Sequence, residues 1–317
     1  MDLDTTNDDG VFDCLIIGGG VAGLTAATYL GRFRRRTIVI DAGESRAKWI
    51  PVTRNCPGFP DGVTGPYLLE RLRQQAVKYG AVLLDDTVHD LCRAENAFTA
   101  IASFPIRARS VVMATGIVDA LPDSPDVPAM LKAGTLRLCP ICDGYEVIDK
   151  RVAVMGTLEA AAKKALSMRT YSRDVTVLAT DAATDPDLRT QLTNAGIQLA
   201  VCATDPIRPD GTRASVTLAN GRTLTFDTIY PAMGCTIRST LAIGLGAECD
   251  DAGNLIVDSH QRTAIPGLYA AGDVVNEINQ IAVAFGHAAI AASDIHNFLQ
   301  ASDRAEMISP AARIPAL

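Results

Sequence analysis

Three glycines at G-x-G-x-x-G spacing, Gly18, Gly20 and Gly23, join a short apolar run to an alanine-rich helical stretch, and they restrict the fold more than any other feature. Residues 11–17 read as a strand, 24–33 as a helix and 37–40 as a second strand closing at Asp41. Strand, glycine turn, helix and strand in this order make a Rossmann-type β–α–β unit. Gly18 permits the tight turn, Gly20 lets an ADP pyrophosphate approach the backbone, and Gly23 lets helix and strand pack closely. With Val21 and Ala22 between the last two glycines, the helix N-terminus offers the phosphates N–H donors and a favourable dipole. Asp41, 18 residues past Gly23, is placed to accept hydrogen bonds from the adenosine ribose hydroxyls.

A second β–α–β pattern follows, with strands at 152–155 and 175–178 around a helix at 160–168. Later, Gly267 to Asp273 reads as a strand ending in a Gly-Asp turn, and 281–299 as the helix behind it. That last segment is expected to rejoin the first sheet. The expected class is therefore α/β with two Rossmann-like domains, the second inserted into the first. Residues 1–116 and 243–317 form the discontinuous nucleotide-binding domain, and 117–242 the insertion.

Between the two patterns lies Cys139-Pro140-Ile141-Cys142-Asp143. Two thiols at this spacing can close a disulfide, the spacing lowers a thiol pKa, and an adjacent acid can move its protons. Half a zinc site would need a second ligand pair, but the other cysteines (Cys14, Cys56, Cys92, Cys202, Cys235 and Cys249) are scattered singly and no H-x(3–5)-H occurs. Redox use is the favoured reading, with no metal expected. Asp143-Gly144 is also a common turn dipeptide, yet its place beside the dithiol favours an acid/base role. A net charge of −7 argues against nucleic-acid or anionic-membrane partners. The basic run at 32–36 reads as a solvated helix end. No apolar segment reaches membrane length, the first ten residues resemble no targeting peptide, and the cysteine pattern fits a reducing cytoplasm. His287 and His296 lie nine apart on one helix, face different directions and are expected to pack rather than bind metal.

The chain resembles the low-molecular-weight thioredoxin reductases over residues 12–300. The likeness rests on Gly18 to Gly23, Asn55-Cys56-Pro57-Gly58-Phe59-Pro60, Gly62-Val63-Thr64-Gly65-Pro66, Ala114-Thr115-Gly116, Cys139 to Gly144 and Ala271-Gly272-Asp273. The resemblance implies FAD in the first domain, a homodimer, and a thioredoxin-like disulfide substrate. It implies that Cys142 faces the flavin, Cys139 attacks the partner disulfide and Asp143 shuttles protons. Asp273 would hold the ribityl chain, with Gly272 beside it among the cofactor-binding residues; Gln280 and Ile281 would line the ring, and Asn55 and Ala114 to Gly116 would pack near it.

The second β–α–β unit departs from the family pattern. Standard members bind NADPH there, but the second glycine position is Leu158, expected to fill the pyrophosphate space, and Glu159 adds negative charge. Where members carry His-Arg-Arg for the 2′-phosphate, this chain has Ala179, Thr180 and Asp181. The expectation is an enzyme that does not use NADPH. It resembles ferredoxin-dependent flavin thioredoxin reductases or diflavin relatives with a second FAD in the vacated region. Alternatives are a dithiol oxidase passing electrons to oxygen (those carry His after the second cysteine), an ordinary NAD(P)H-dependent reductase, and a redox sensor. The tail at 308–317 has no aromatic residue to stack on a flavin and reads as a disordered end.

Overall fold

The computed structural model describes residues 10–94, 97–181, 185–275 and 278–308, without the side chains of 204–206 and 305–308. The tail at 309–317 and the first nine residues lie outside this range. From the N-terminus the chain runs β1 (Val11–Ile17), α1 (Val21–Arg32), β2 (Thr37–Asp41), α2 (Gly65–Lys78), β3 (Val82–Asp85), β4 (Asp90–Ala94), β5 (Ala97–Ile101) and β6 (Pro105–Met113). It continues through β7 (Ile117–Asp119), α3 (Val127–Ala133), α4 (Pro140–Asp143), β8 (Val152–Gly156), α5 (Leu158–Met168), β9 (Val175–Ala179), α6 (Pro186–Asn194) and β10 (Gln198–Asp210). Then come β11 (Arg213–Leu218), β12 (Thr223–Phe226), β13 (Thr228–Ala232), β14 (Cys235–Ile237), α7 (Thr240–Gly244), β15 (Leu268–Ala270) and α8 (Ile281–Ile308). The class is mixed α/β with two Rossmann-like sheets. Among the described residues, no helix is long and apolar enough to cross a membrane.

Two compact units divide the chain. The first comprises residues up to Ala47, Leu68–Ile117 and Ile237 onward; the second comprises Lys48–Tyr67 and Val118–Thr236. The return crossing thus comes within β14 rather than at 243. Residues 48–67, which the sequence reading kept in the first domain, group with the second. There Arg54 pairs with Glu146 at 3.6 Å and Asn55 Nδ2 donates to the Ile141 carbonyl at 3.4 Å.

In the first unit the strand order is β3-β2-β1-β6-β5-β4, with β15 also on β6. Strands β3, β2, β1, β6 and β15 are parallel. Their register aligns Ile17 with Ile40 and with Met113, and Met113 with Ala270. The ends of β1, β2, β6 and β15 are therefore level, and the loops after them open at one edge, where such sheets bind ligands. Helix α1 is buried on nearly all sides because α8 covers it, and small residues (Ala26, Ala27, Ala288, Ala291) allow the close approach.

Helix α8 extends to Ile308, past the expected end at 299, because Asp303 is anchored by Arg35 at 3.0 Å and Arg109 at 2.7 Å. This overturns the solvated reading of the basic run at Arg35. Its guanidinium is mostly buried, and its Nε donates to His296 Nδ1 at 3.2 Å. His296 stacks on Phe33, and His287 accepts from the Gly272 N–H at 3.4 Å, so both histidines pack.

The second unit has strand order β12-β11-β10-β9-β8-β13, of which β10, β9, β8 and β13 are parallel. One core lies on the α5 side of this sheet, with Leu158, Ala161, Met168 and Tyr230; another contains Met130, Leu136, Phe226 and Ile229.

A buried carboxylate ties α8 to the β15 strand. Asp294 accepts from Arg262 Nε at 2.6 Å and from the Tyr269 hydroxyl at 2.8 Å. Burial opposes its charge, but the hydrogen bonds from Arg262 and Tyr269 and the Arg262 charge outweigh it, holding Asp294 below the usual carboxylate range. A depressed pKa gives stability that is present above the unfolded pKa and lost as pH falls through the folded one. Asp294→Asn should therefore cost about 2 kcal/mol at neutral pH. In thermal melts the gap from wild type should narrow as pH drops below the carboxylate range. A pH-independent gap would mean that the charge does not hold α8.

Candidate active site

The glycine turn after β1 is dictated by contact as much as by conformation. A Cβ on Gly18, whose φ is +111°, would lie 2.3 Å from the Ala114 carbonyl oxygen, and one on Gly23 would lie 1.9 Å from the Gly18 carbonyl oxygen. A Cβ on Gly19 would strike the Asp41 carboxylate at 2.3 Å. Gly20 differs: the nearest atom to its Cβ position is Ser45 Oγ at 3.3 Å, so protein packing leaves its approach open. Gly20 is also the N-cap of α1, and among the described residues no side chain caps that helix. Val21, Ala22 and Gly23 thus begin a 12-residue helix whose N-terminus is presented bare beside Gly20.

The other expected cofactor residues, apart from Asn55, belong to the first unit. Asp41 ends β2, where its Oδ1 accepts from Gly43 N at 2.9 Å and its Oδ2 from Arg73 at 2.6 Å. Ala114 N donates to the Ile17 carbonyl; the Thr115 hydroxyl donates to the Arg238 carbonyl, and Gly116 accepts from Arg238 N at 3.0 Å. Gly272, at φ +81°, passes so close to Ala22 that a Cβ would sit 2.9 Å from it. Asp273 pairs with Arg46 at 3.6 Å. Gln280 accepts from Ala284 N, so Gln280 and Ile281 open α8 beside Gly272. The bare helix N-terminus and the glycine cradle fit the diphosphate of FAD. Ser45 and Arg46 border it, though no sequence motif marked them.

In the second unit Cys139 and Cys142 form a disulfide, with Cα atoms 5.3 Å apart. Cys139 caps the short α4 turn: its Sγ accepts from Cys142 N at 3.2 Å and its carbonyl from Asp143 N. Gly144 follows because a side chain there would strike the Tyr171 ring at 2.5 Å. Asp143 is held on both oxygens, Oδ2 by Arg137 Nη1 at 2.9 Å and Oδ1 by the Tyr230 hydroxyl at 2.8 Å. Burial pushes the Asp143 carboxyl up, partly offset by Arg137 and Tyr230. Asn55 lies in this unit, with the disulfide turn. Cys56 is buried, and burial raises its thiol pKa.

The N-terminus of α5 is closed by the chain itself. Thr157 caps it, its hydroxyl accepting from Ala160 N at 3.4 Å, and Asp181 Oδ1 accepts from Leu158 N at 3.0 Å. A carboxylate thus meets the first N–H of the helix. Leu158 does not fill a phosphate site as expected: its side chain is 1% exposed and packs in the α5 core. Glu159 is exposed in the first turn. The Leu158 and Ala160 N–H groups are thus both met by side chains of this unit.

The two kinds of glycine predict separable failures. Gly23→Ala should destabilise the fold by about 1–3 kcal/mol through forced overpacking. Gly20→Ala, relieved by rotating one hydroxyl, should leave apoprotein melting unchanged yet purify with little flavin absorbance. Full flavin content in Gly20→Ala would remove the phosphate role from this turn.

A family model for pyridine nucleotide-disulphide oxidoreductases matches residues 12–288. The thioredoxin reductase of Streptomyces coelicolor is 30% identical over 323 residues, covering 93% of this chain and 97% of that protein. The crystal structure of HlmI superposes with a TM-score of 0.88 at 29% identity, over 96% of this chain and 97% of that one. A thioredoxin reductase structure from Streptococcus pyogenes shares the fold at 24% identity, with a TM-score of 0.84 over 93% of this chain and 100% of that one. With its glycine cradle and its paired cysteines, the chain belongs to the pyridine nucleotide-disulphide oxidoreductase family, and within it is thioredoxin reductase-like.

Proposed function

We propose that the chain is an FAD-dependent thiol–disulfide oxidoreductase that reduces a thioredoxin-like disulfide with electrons from ferredoxin or another flavin rather than NADPH. The observation that carries this reading is the Asp181 carboxylate on the Leu158 N–H. A helix N-terminus that accepts diphosphate must offer its donors to it; here they are met from within, and an incoming phosphate would face a like charge. The first unit, with a bare α1, keeps the opposite arrangement. The reading includes a homodimer, as the resemblance implies, in the reducing cytoplasm that the cysteine pattern fits.

Bound FAD supplies a two-electron carrier. The chain's residues do the thiol chemistry. Reduction of Cys139–Cys142 takes two electrons and two protons. The Cys139 thiolate attacks the partner's disulfide, giving a mixed disulfide and releasing one partner thiolate. The Cys142 thiolate then attacks Cys139, releasing the second partner thiolate and re-forming the internal bond. Asp143, adjacent to Cys142, takes the Cys142 proton, and its raised pKa keeps it able to return one.

Anaerobic rapid mixing with NADPH or NADH should leave the flavin oxidised, whereas reduced ferredoxin should bleach it and then reduce thioredoxin. Rapid bleaching by NADPH would instead make this an ordinary reductase, and peroxide from small dithiols in air would make it an oxidase. Two FAD released per chain on denaturation would point to a diflavin enzyme. Cys142→Ser should retain FAD and lose all thiol-coupled turnover; persistent turnover would remove the dithiol from the mechanism.

A further inference from the structure

Residues 135–137 run beside β13. Ile229 N donates to the Thr135 carbonyl and Arg137 N to the Ile229 carbonyl, both at 2.9 Å, forming a parallel bridge between Leu136 and Ile229. The bridge sets Arg137 beside Tyr230, and both side chains end on Asp143. Arg137 is braced further: its Nε donates to the Gly134 carbonyl at 3.0 Å, at the end of α3. Tyr230 is fully buried, so its hydroxyl has a fixed position.

The two donors differ in one respect. A guanidinium only donates, so Oδ2 of Asp143, against Arg137, stays unprotonated. A phenol both donates and accepts. It can donate to an ionised Oδ1 and accept from a protonated one, so it follows the proton without leaving a buried group unpaired. We infer that Arg137 and Tyr230 are positioning residues that confine the exchangeable proton of Asp143 to Oδ1 and set the pH at which it is delivered to the dithiol. This deepens the proposed function and rests on Asp143 being the proton carrier there.

The charged and titratable groups facing Asp143 are Arg137 from the segment before the dithiol, Tyr230 from β13 and Glu146 from the following turn. Glu146 raises the Asp143 pKa and is itself paired with Arg54. Cys139 and Cys142 do not titrate while they form the disulfide.

The test uses dithiothreitol with the oxidised holoenzyme, which needs neither electron donor nor protein partner. One dithiothreitol thiolate attacks the Cys139–Cys142 bond, the released protein thiolate takes the Asp143 proton, and the second reagent thiol closes its ring. The reagent loses, and the protein gains, two electrons. The rate, divided by the reagent's thiolate fraction, should fall as Asp143 ionises. Arg137→Met should move that fall up by about 1–3 pH units, since a carboxylate loses its neighbouring cation, and Arg137→Lys should restore most of it. Tyr230→Phe should shift the fall in the same direction and lower the plateau, because a buried oxygen loses its partner. Asp143→Asn should abolish the fall. Arg137→Met and Tyr230→Phe profiles superimposing on wild type would overturn the inference, as would a fall that survives in Asp143→Asn. Should Arg137→Met not fold, Tyr230→Phe and Arg137→Lys decide alone. NADPH bleaching the flavin would sink the electron-source reading without touching this result.

Discussion

The first N–H groups of a helix have no partner within the helix, and something must meet them. The two strand–turn–helix units of this chain do so in opposite ways. At α1 the capping position is a glycine with no capping side chain, and the approach to Gly20 is open. At α5 a threonine caps from one side and Asp181 reaches across from the end of the next strand. One sheet architecture thus yields one terminus without a capping side chain and one met by a threonine and a carboxylate.

The same economy of donors governs the redox turn. Asp143 is removed from much of the solvent, and a buried carboxylate is tolerated only when hydrogen-bonded. Arg137 and Tyr230 satisfy both oxygens, and both are delivered by a single bridge onto β13. The disulfide, its neighbouring acid and the acid's partners all belong to the second unit, so the dithiol chemistry is organised inside it.

Much of this was legible in the chain. The spacing of Gly18, Gly20 and Gly23 and the apolar strands around them expose the first Rossmann-like unit, because that turn admits few alternatives. Cys139 and Cys142 announced a disulfide by spacing alone. Arg137 and Tyr230 were not legible, since they lie far apart in sequence and meet only through sheet pairing. Asp181 was read as an acid where relatives carry cations, but its hydrogen bond to the Leu158 N–H needed the tertiary structure. Leu158 was misread because a side chain at a glycine position was assumed to point at the ligand, whereas apolar burial turned it into the core. Arg35 was misread for the complementary reason: a basic run looks solvated until distant acids, here Asp13 and Asp303, are brought to it.

The proposal for this thioredoxin reductase-like chain therefore rests on a single carboxylate, Asp181, at the N-terminus of α5. Calorimetric titration of the oxidised protein with NADPH addresses that carboxylate directly, without turnover or a partner. Wild type is expected to give no saturable heat at millimolar nucleotide, and saturable binding with a micromolar Kd would contradict the closed terminus at α5.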